Sequence, residues 1–580
     1  MIMLEIKSIK KSRKAWCNMG NYQRINSLKK DGIENKKAYL IGGGIASLAA
    51  AAYLIRDGHM DGKNITIMEE THVLGGAMDG AGDAEHGYII RGGRELVEHH
   101  ECSWDLYSFI PSLNNPSRTV LDEFRELNVA EPNESHCRLI HNCGEKADFS
   151  TLGLSDIHIK QITKLILATE EQLGVTTIEQ FFDPSYFETN MWYFWRSMFA
   201  FENWHSVVEM KRYMQRFMHL IPGMNQLKGI MHTQYNQYDS MILPLITWLK
   251  NKNVNFDLHT QVTDLDISTV GEQKTVICIH LLRNGNSERI AVSSSDLVFV
   301  TNGSMTENST LGSMYTPAVL NRDKVNCGCW NLWKNIAKKD PSFGHPEVFC
   351  NDIDKTKWES FTMTFKGPFM GKFLKKLTDR DPGVGGVVTI KDSNWLMSWT
   401  CSKQPHFINQ PDDVLVLWAY GLFPDNVGDY IKKKMCDCTG EELVSELLYH
   451  MGLKDKIDDI LKTVNVIPCM MPYVTSQFMP RVKGDRPDVI PEGSTNLAFL
   501  GQFAEVADDC VFTIEYSVRT AMMAVYALLD LEKQVIPIYA SKYDIRVLLS
   551  AAKTLYSGRP IPGEKIIQKL LKDTTLENLL

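Results

Sequence analysis

"KKAYLIGGGIASLAAAAYLIRDG", residues 36–58, decides how the rest of the chain is read. A short apolar run, Ala38 to Ile41, meets three glycines, and an alanine-rich stretch then continues to Asp57 and Gly58. "KNITIMEE" (63–70) supplies a second apolar run. The order predicts a buried strand, a glycine turn, a helix and a second strand, which is a βαβ unit. Its turn fits G-x-G-x-x-[G/A/S]. Gly42 permits the tight turn, Gly44 lets a pyrophosphate approach the helix N-terminus, and small Ser47 lets the helix pack on the strand, with Ala46 beside it. Glu69 ends the next strand about 25 residues later, where a carboxylate accepts hydrogen bonds from ribose hydroxyls. A glycine turn without a ligand is the competing reading.

The chain has 580 residues, enough for several domains, and a formal net charge of −8, which gives no basic surface for nucleic acid. No apolar run reaches the roughly 18 residues of a membrane span, and the N-terminus lacks the apolar core of a secretory signal. The 13 cysteines are scattered; the pairs Cys327/Cys329 and Cys436/Cys438 lack zinc-site spacing, so no metal is expected. This usage fits a reducing compartment, and the expected location is cytoplasmic. Residues 1–35 are polar and lysine-rich and are expected to add little to the core. The internal "MGNYQRI" has neither the position nor the Ser/Thr of a myristoylation signal, and a later start at Met19 stays open.

Along the chain the β/α signal appears, is interrupted twice, and returns. The expected fold is α/β: a discontinuous Rossmann-like FAD-binding domain with inserted helical and mixed α/β substrate domains and a C-terminal helical tail. After the 1–35 extension, the nucleotide domain takes 36–100, 245–320 and 486–530. A helical insertion dense in aromatics ("MWYFWRSMFAFENWHS") takes 101–244, a substrate-binding insertion 321–485, and the tail 531–580.

FAD is favoured over NAD by two further segments. "EETHVLGGAMDG" places a second glycine pair, Gly75 and Gly76, after Glu69, as in two-dinucleotide-binding flavoproteins. The late "AFLGQFAEVADDCVFT" offers a strand, a glycine and acidic residues before a helix, where such folds reach the ribityl and pyrimidine end. Asp508, Phe512, Thr513 and Ser517 are its candidate contacts, with Val262 and Asn302 on the returning strands. "YIIRGGRELVEHH" (88–100) then runs beside the isoalloxazine, bringing Arg91 and Gly93 to it and placing Glu95 at or near a helix start.

"RGGREL", "HTQYNQYDSMILPL", "DSNWLMSWT" with "QPHF" shortly after, and "VFTIEYSVRTAM" resemble the oleate hydratases, also called the myosin-cross-reactive antigen family. The resemblance runs from about residue 20 to the C-terminus. It implies addition of water across the cis-9 double bond of oleate to give 10-hydroxystearate, with FAD required and no net redox change. It makes Glu95 the catalytic carboxylate. A carboxylate near a helix N-terminus is stabilised as the anion and can take a proton from water; an N-cap or an ion pair with Arg94 is the plainer reading. Leu96 stands where the family usually has Met. The resemblance makes Tyr213, in "SVVEMKRYMQRFMHLI", the acid that protonates the alkene. Periodicity alone puts Tyr213 at the edge of an apolar stripe of Val207, Met210, Met214, Phe217 and Ile221, as a core tyrosine. The resemblance also implies that Gln237, Thr400, Ser402 and His406 bind the fatty-acid carboxylate at the far end of a tunnel. Ser402 replaces a frequent Asn, which bears on affinity and chain length.

The tail mixes Lys542, Arg546, Lys553, Lys565, Lys569 and Lys572 with apolar residues at helical intervals. Such helices suit an anionic membrane surface or the protein's own core. The resemblance adds peripheral membrane contact and a homodimer. Two alternatives remain: a redox flavoenzyme or fatty-acid double-bond isomerase, and a lipid-binding protein that keeps FAD for structure.

Overall fold

In the computed structural model, residues 27–564 are described apart from Arg94 and Cys327, together with Lys569. The quoted stretch forms the strand Ala38–Ile41 and the helix Ile45–Arg56. The strand is central in a five-stranded sheet ordered Leu497–Leu500, Leu297–Thr301, Ala38–Ile41, Ile65–Met68, Asn255–Asp257. All pairings are parallel, with Ala38 opposite both Leu297 and Ile65. Parallel sheets bury both faces, which is why these strands read as unbroken apolar runs. Ala49 to Ala52 are fully buried, and their small side chains let the helix Ile514–Leu528 lie close. Three distant parts of the sequence thus build one Rossmann-like sheet.

The stretch 245–320 is only partly in that sheet. Thr260–Val270, Gln273–Arg283 and Asn286–Ala291 form a separate antiparallel sheet, with Thr260 opposite Arg283. The helical insertion is not self-contained either. Its Leu139–His141 pairs in parallel with Val388–Ile390 and joins an eight-stranded sheet built around Trp358–Lys366 and Val414–Gly421. The signal was a short apolar run closed by the turn-forming "NCGEK".

The hairpin Gly80–Asp83 and Gly87–Ile90 docks on Trp358–Lys366 through side chains. Thr364 accepts from Tyr88 N–H at 2.9 Å and Thr362 from Ile90 N–H at 3.2 Å. These bonds aim the following loop, Arg91 to Glu95, between the two sheets.

The helix carrying Tyr213 spans Val207–Arg216, and Met218–Gln226 continues as 3-10 turns. The expected apolar stripe is thus interrupted before Phe217 and Ile221. The helix is buried nearly all round, and its Glu209, Arg212 and Arg216 are paired inside the protein. Glu209 meets Arg481 and Arg486 at 2.9 Å, Arg212 meets Glu170 and Glu505 at 2.7 Å, and Arg216 meets Asp509 at 3.1 Å. These charged residues pair in the interior of the protein.

In the tail, the helix Ile545–Leu555 packs on Met218–Gln226, while Lys533 and Lys542 pair with Asp57 and Asp508 at 2.7 and 2.8 Å. Lys565 and Lys572 lie outside the described residues, as does Met19. Ile33 is fully buried, so the 1–35 segment does reach the core. Among the described residues no helix is long and apolar enough to cross a membrane.

Candidate active site

The glycine turn builds a cradle of bare backbone. Gly42 has φ 93°, and Gly44 precedes the helix Ile45–Arg56 without any side chain capping the free N–H groups. Those donors are left to a ligand. Gly75 N–H donates to Gly43 C=O at 2.9 Å, and a methyl placed on Gly76 would come within 3.2 Å of Gly44 Cα. The two glycine pairs pack on each other, as the close approach of a pyrophosphate requires. Glu69 stands at the edge, its carboxylate accepting from Gly43 N–H at 2.7 Å and from the N–H and hydroxyl of Thr71 at 2.9 Å.

A groove of about 480 Å³ runs from this cradle past Gly42, Gly44, Ala46, Glu69, Gly75, Gly76, Arg91, Val262, Phe512, Thr513 and Ser517. Two expected contacts fall outside its walls. Asn302 is buried behind Thr301 and Gly303, with neither end of its amide bonded. Asp508 turns its carboxylate to Lys542. Gln502, which the sequence reading missed, lines the groove and donates to Thr513 C=O at 3.0 Å and Ser517 Oγ at 2.8 Å. Its position directly after the strand-ending Gly501 was the available signal. Glu70 and Glu307 were also missed. Burial, then the neighbouring Glu307 and Glu69, raise the Glu70 carboxyl to about 7. This end of the groove is rich in acceptors, as a sugar needs.

A second cavity, of about 160 Å³, adjoins the groove: Arg91, Met305, Thr306, Phe512, Thr513 and Ile514 line both. Met198, Phe199, Phe217, Leu220 and Trp418 give it apolar walls, and Glu95 and Tyr213 both face it. Gly93 lines this cavity rather than the groove.

Glu95 does not start a helix. Leu96–Val97 pairs with Ile230–Met231, Leu96 opposite Met231, and the helix begins only at Glu101. The helix-dipole argument for its ionisation therefore falls. Burial raises the Glu95 carboxyl to about 6, with Arg138 pulling the other way. The ion pair with Arg94 lies outside the described residues.

Tyr213 is fully buried, its ring edge-on to Phe199 and Phe201 at 4.8 and 5.1 Å, and its hydroxyl donates to Val511 C=O. Burial lifts the phenol well above its ordinary range, so it keeps its proton.

Of the four expected carboxylate contacts, Thr400 and Ser402 line the cavity and Gln237 and His406 do not. Thr400 is not remote: a methyl on Gly93 would lie 3.8 Å from its Cγ2. Gln237 is drawn off by Gly92, donating to its carbonyl at 3.3 Å, and so braces the glycine loop. His406 is buried beside Phe407, and burial pushes its imidazole down to about 4. Asn133 and His232 instead add polar groups to the cavity wall with Ser402.

Residues 35–526 match the model of the MCRA family. This chain belongs to the MCRA family. It is 45% identical to a protein named oleate hydratase from Streptococcus pyogenes serotype M49 (strain NZ131), across 97% of this chain and 98% of that one. A linoleate hydratase from Lactiplantibacillus plantarum is 33% identical, across 84% of this chain and 93% of its own length. A solved oxidoreductase from Methanosarcina mazei aligns loosely, at 12% identity and TM-score 0.43, over 84% of this chain and 99% of that one.

Proposed function

We propose that this MCRA protein hydrates a carbon–carbon double bond of an unsaturated fatty acid, of which oleate giving 10-hydroxystearate is the leading case. One observation carries the chemical reading: a half-buried carboxylate and a protonated phenol face the same apolar cavity. Glu95, ionised in most molecules at neutral pH, takes a proton from water. Tyr213 turns its hydroxyl from Val511 C=O and gives its proton to one alkene carbon, and the water oxygen bonds to the other. The proton gained by Glu95 and the one lost by Tyr213 balance, so product and substrate differ by one water. The apolar walls exclude competing solvent and hold the hydrocarbon chain. Thr400 and Ser402, with Asn133 and His232, offer the polar contacts.

The groove fits FAD, with the glycine cradle for the pyrophosphate and Glu69 for the ribose. Bound there, the flavin supplies a polarisable aromatic surface that favours positive charge developing on the alkene, without net electron transfer. The hydratase relatives do not favour the redox and isomerase alternatives. Peripheral attachment to anionic membrane draws support from the exposed Tyr543 and Ile545 beside Arg546; the homodimer rests on the family resemblance. Vesicle flotation and sedimentation velocity, respectively, decide these two.

The test is incubation with FAD, a reductant and oleate in heavy-oxygen water, followed by mass spectrometry. A gain of one labelled water with flavin unconsumed is expected. Unchanged mass, or loss of hydrogen, would overturn the reading.

A further inference from the structure

A second charged residue, Arg138, is buried behind the wall of the cavity that Glu95 faces, bonded to Val387 of that wall. It is fully buried at the start of the strand Leu139–His141. Its Nε donates to Val387 C=O at 3.1 Å and its Nη1 to Met224 C=O at 2.6 Å. The guanidinium lies over the Phe194 ring at 4.6 Å, and Nη2 has no hydrogen-bond partner. No carboxylate forms a close ion pair with it among the described residues. A buried cation held this way is costly unless a negative charge answers it.

Val387, whose carbonyl Arg138 bonds, lines the same cavity as Glu95, and Glu95 is the carboxylate whose charge acts on the guanidinium. We propose that Arg138 is a positioning residue for hydration: its guanidinium is the fixed counter-charge that holds Glu95 as the carboxylate receiving the proton of water. This rests on the reading of Glu95 as the base.

The interaction is mutual. Burial lowers the guanidinium to about 10 while Glu95 raises it, and burial raises Glu95 to about 6 while Arg138 lowers it. Both groups are charged at neutral pH. Cys401 also lines the cavity, as a thiol that burial pushes up to about 12, and the buried Arg196, on the helix Asn190–Phe199, is answered by Glu202. Arg91 is engaged by Asp79 at 2.8 Å, His100 is pushed by burial down to about 4, and burial likewise lowers His232, which follows the strand opposite Leu96–Val97. Tyr213 and Tyr420 are phenols raised by burial, the latter donating to Ser197 C=O. Arg94 lies outside the described residues. Arg138 is therefore the described buried cation set against Glu95 by fixed backbone contacts.

The test uses full-length, FAD-loaded Arg138→Lys, Arg138→Gln and Arg138→Met, with kcat and KM for oleate from pH 5 to 10 and thermal melts to establish folding. The Gln and Met variants should move the acid limb of kcat upward by at least one unit, lowering kcat at pH 6 at least about fivefold. They should recover at high pH and leave KM within about twofold; Lys should keep the limb in place. An unmoved limb in Gln and Met, or a limb in Lys displaced as far as theirs, would overturn the proposal. If the uncharged variants do not fold, Lys decides alone: a limb shifted by a unit overturns it and an unmoved limb supports it. Glu95→Gln is run alongside, and wild-type turnover in that variant would instead remove the reading of Glu95 as base.

Discussion

At the scale of single residues, burial sets the chemistry of the two groups proposed to react. It lifts the Glu95 carboxyl to about 6, into the range where a base is half-ready near neutral pH. It lifts the Tyr213 phenol beyond any working pH. A base must be deprotonated, so kcat should rise as pH passes through about 6. The acid must stay protonated, so no alkaline fall should follow up to about 10; a bell-shaped profile with an alkaline limb near 8 would contradict the assignment of Tyr213. Glu95→Gln and Tyr213→Phe should each lower kcat by about 100-fold or more while oleate still binds, as isothermal titration can show. Glu95, Tyr213, Thr400 and Ser402 were reached through family resemblance, and the structure brings all four to one cavity. Gln237 and His406 stand outside because a backbone carbonyl engages one and neighbouring packing buries the other, neither of which a motif records.

At the scale of elements, the start of the helix Ile45–Arg56 is the piece most open to test. Gly44 has an extended backbone that alanine also adopts, with φ −77°, and its added methyl would meet Gly76 Cα at an ordinary 3.9 Å. Gly44→Ala should therefore fold and melt like the parent without flavin. The same methyl stands where a pyrophosphate must approach the backbone, so flavin affinity should fall about tenfold or more. Unchanged flavin absorbance after gel filtration at limiting FAD would remove the pyrophosphate from that cradle. The strand–turn–helix was legible because glycine spacing and an alanine run are local signals. The pairing of Leu96–Val97 was not, since its partner, Ile230–Met231, lies far away in sequence and the local pattern equally suited a helix.

At the scale of the whole molecule, buried ion pairs tie the inserted helix of Tyr213 to the returning nucleotide segment. Burial alone would raise the Glu209 carboxyl, but Arg486, Arg481 and Arg212 outweigh it and hold it at about 2. Glu209→Ala strands these cations, and urea unfolding should show a loss of about 3–5 kcal/mol at pH 7. Because the folded carboxyl is depressed, its contribution is complete above about 4.5 and is lost as pH falls toward about 2. The parent's advantage should shrink over that window. A loss under about 1 kcal/mol would make the network incidental to stability.

The sequence by itself determined the βαβ start, the glycine cradle with Glu69, and the return of the nucleotide sheet at Leu497–Leu500. Each is written in contiguous residues whose spacing matches a local geometry. Only the tertiary structure decided which residues share the cavity, that Arg138 is buried behind its wall at Val387, and that the helical insertion gives a strand to the neighbouring sheet. Burial and charge pairing depend on what distant segments bring to a side chain, and no local pattern carries that information.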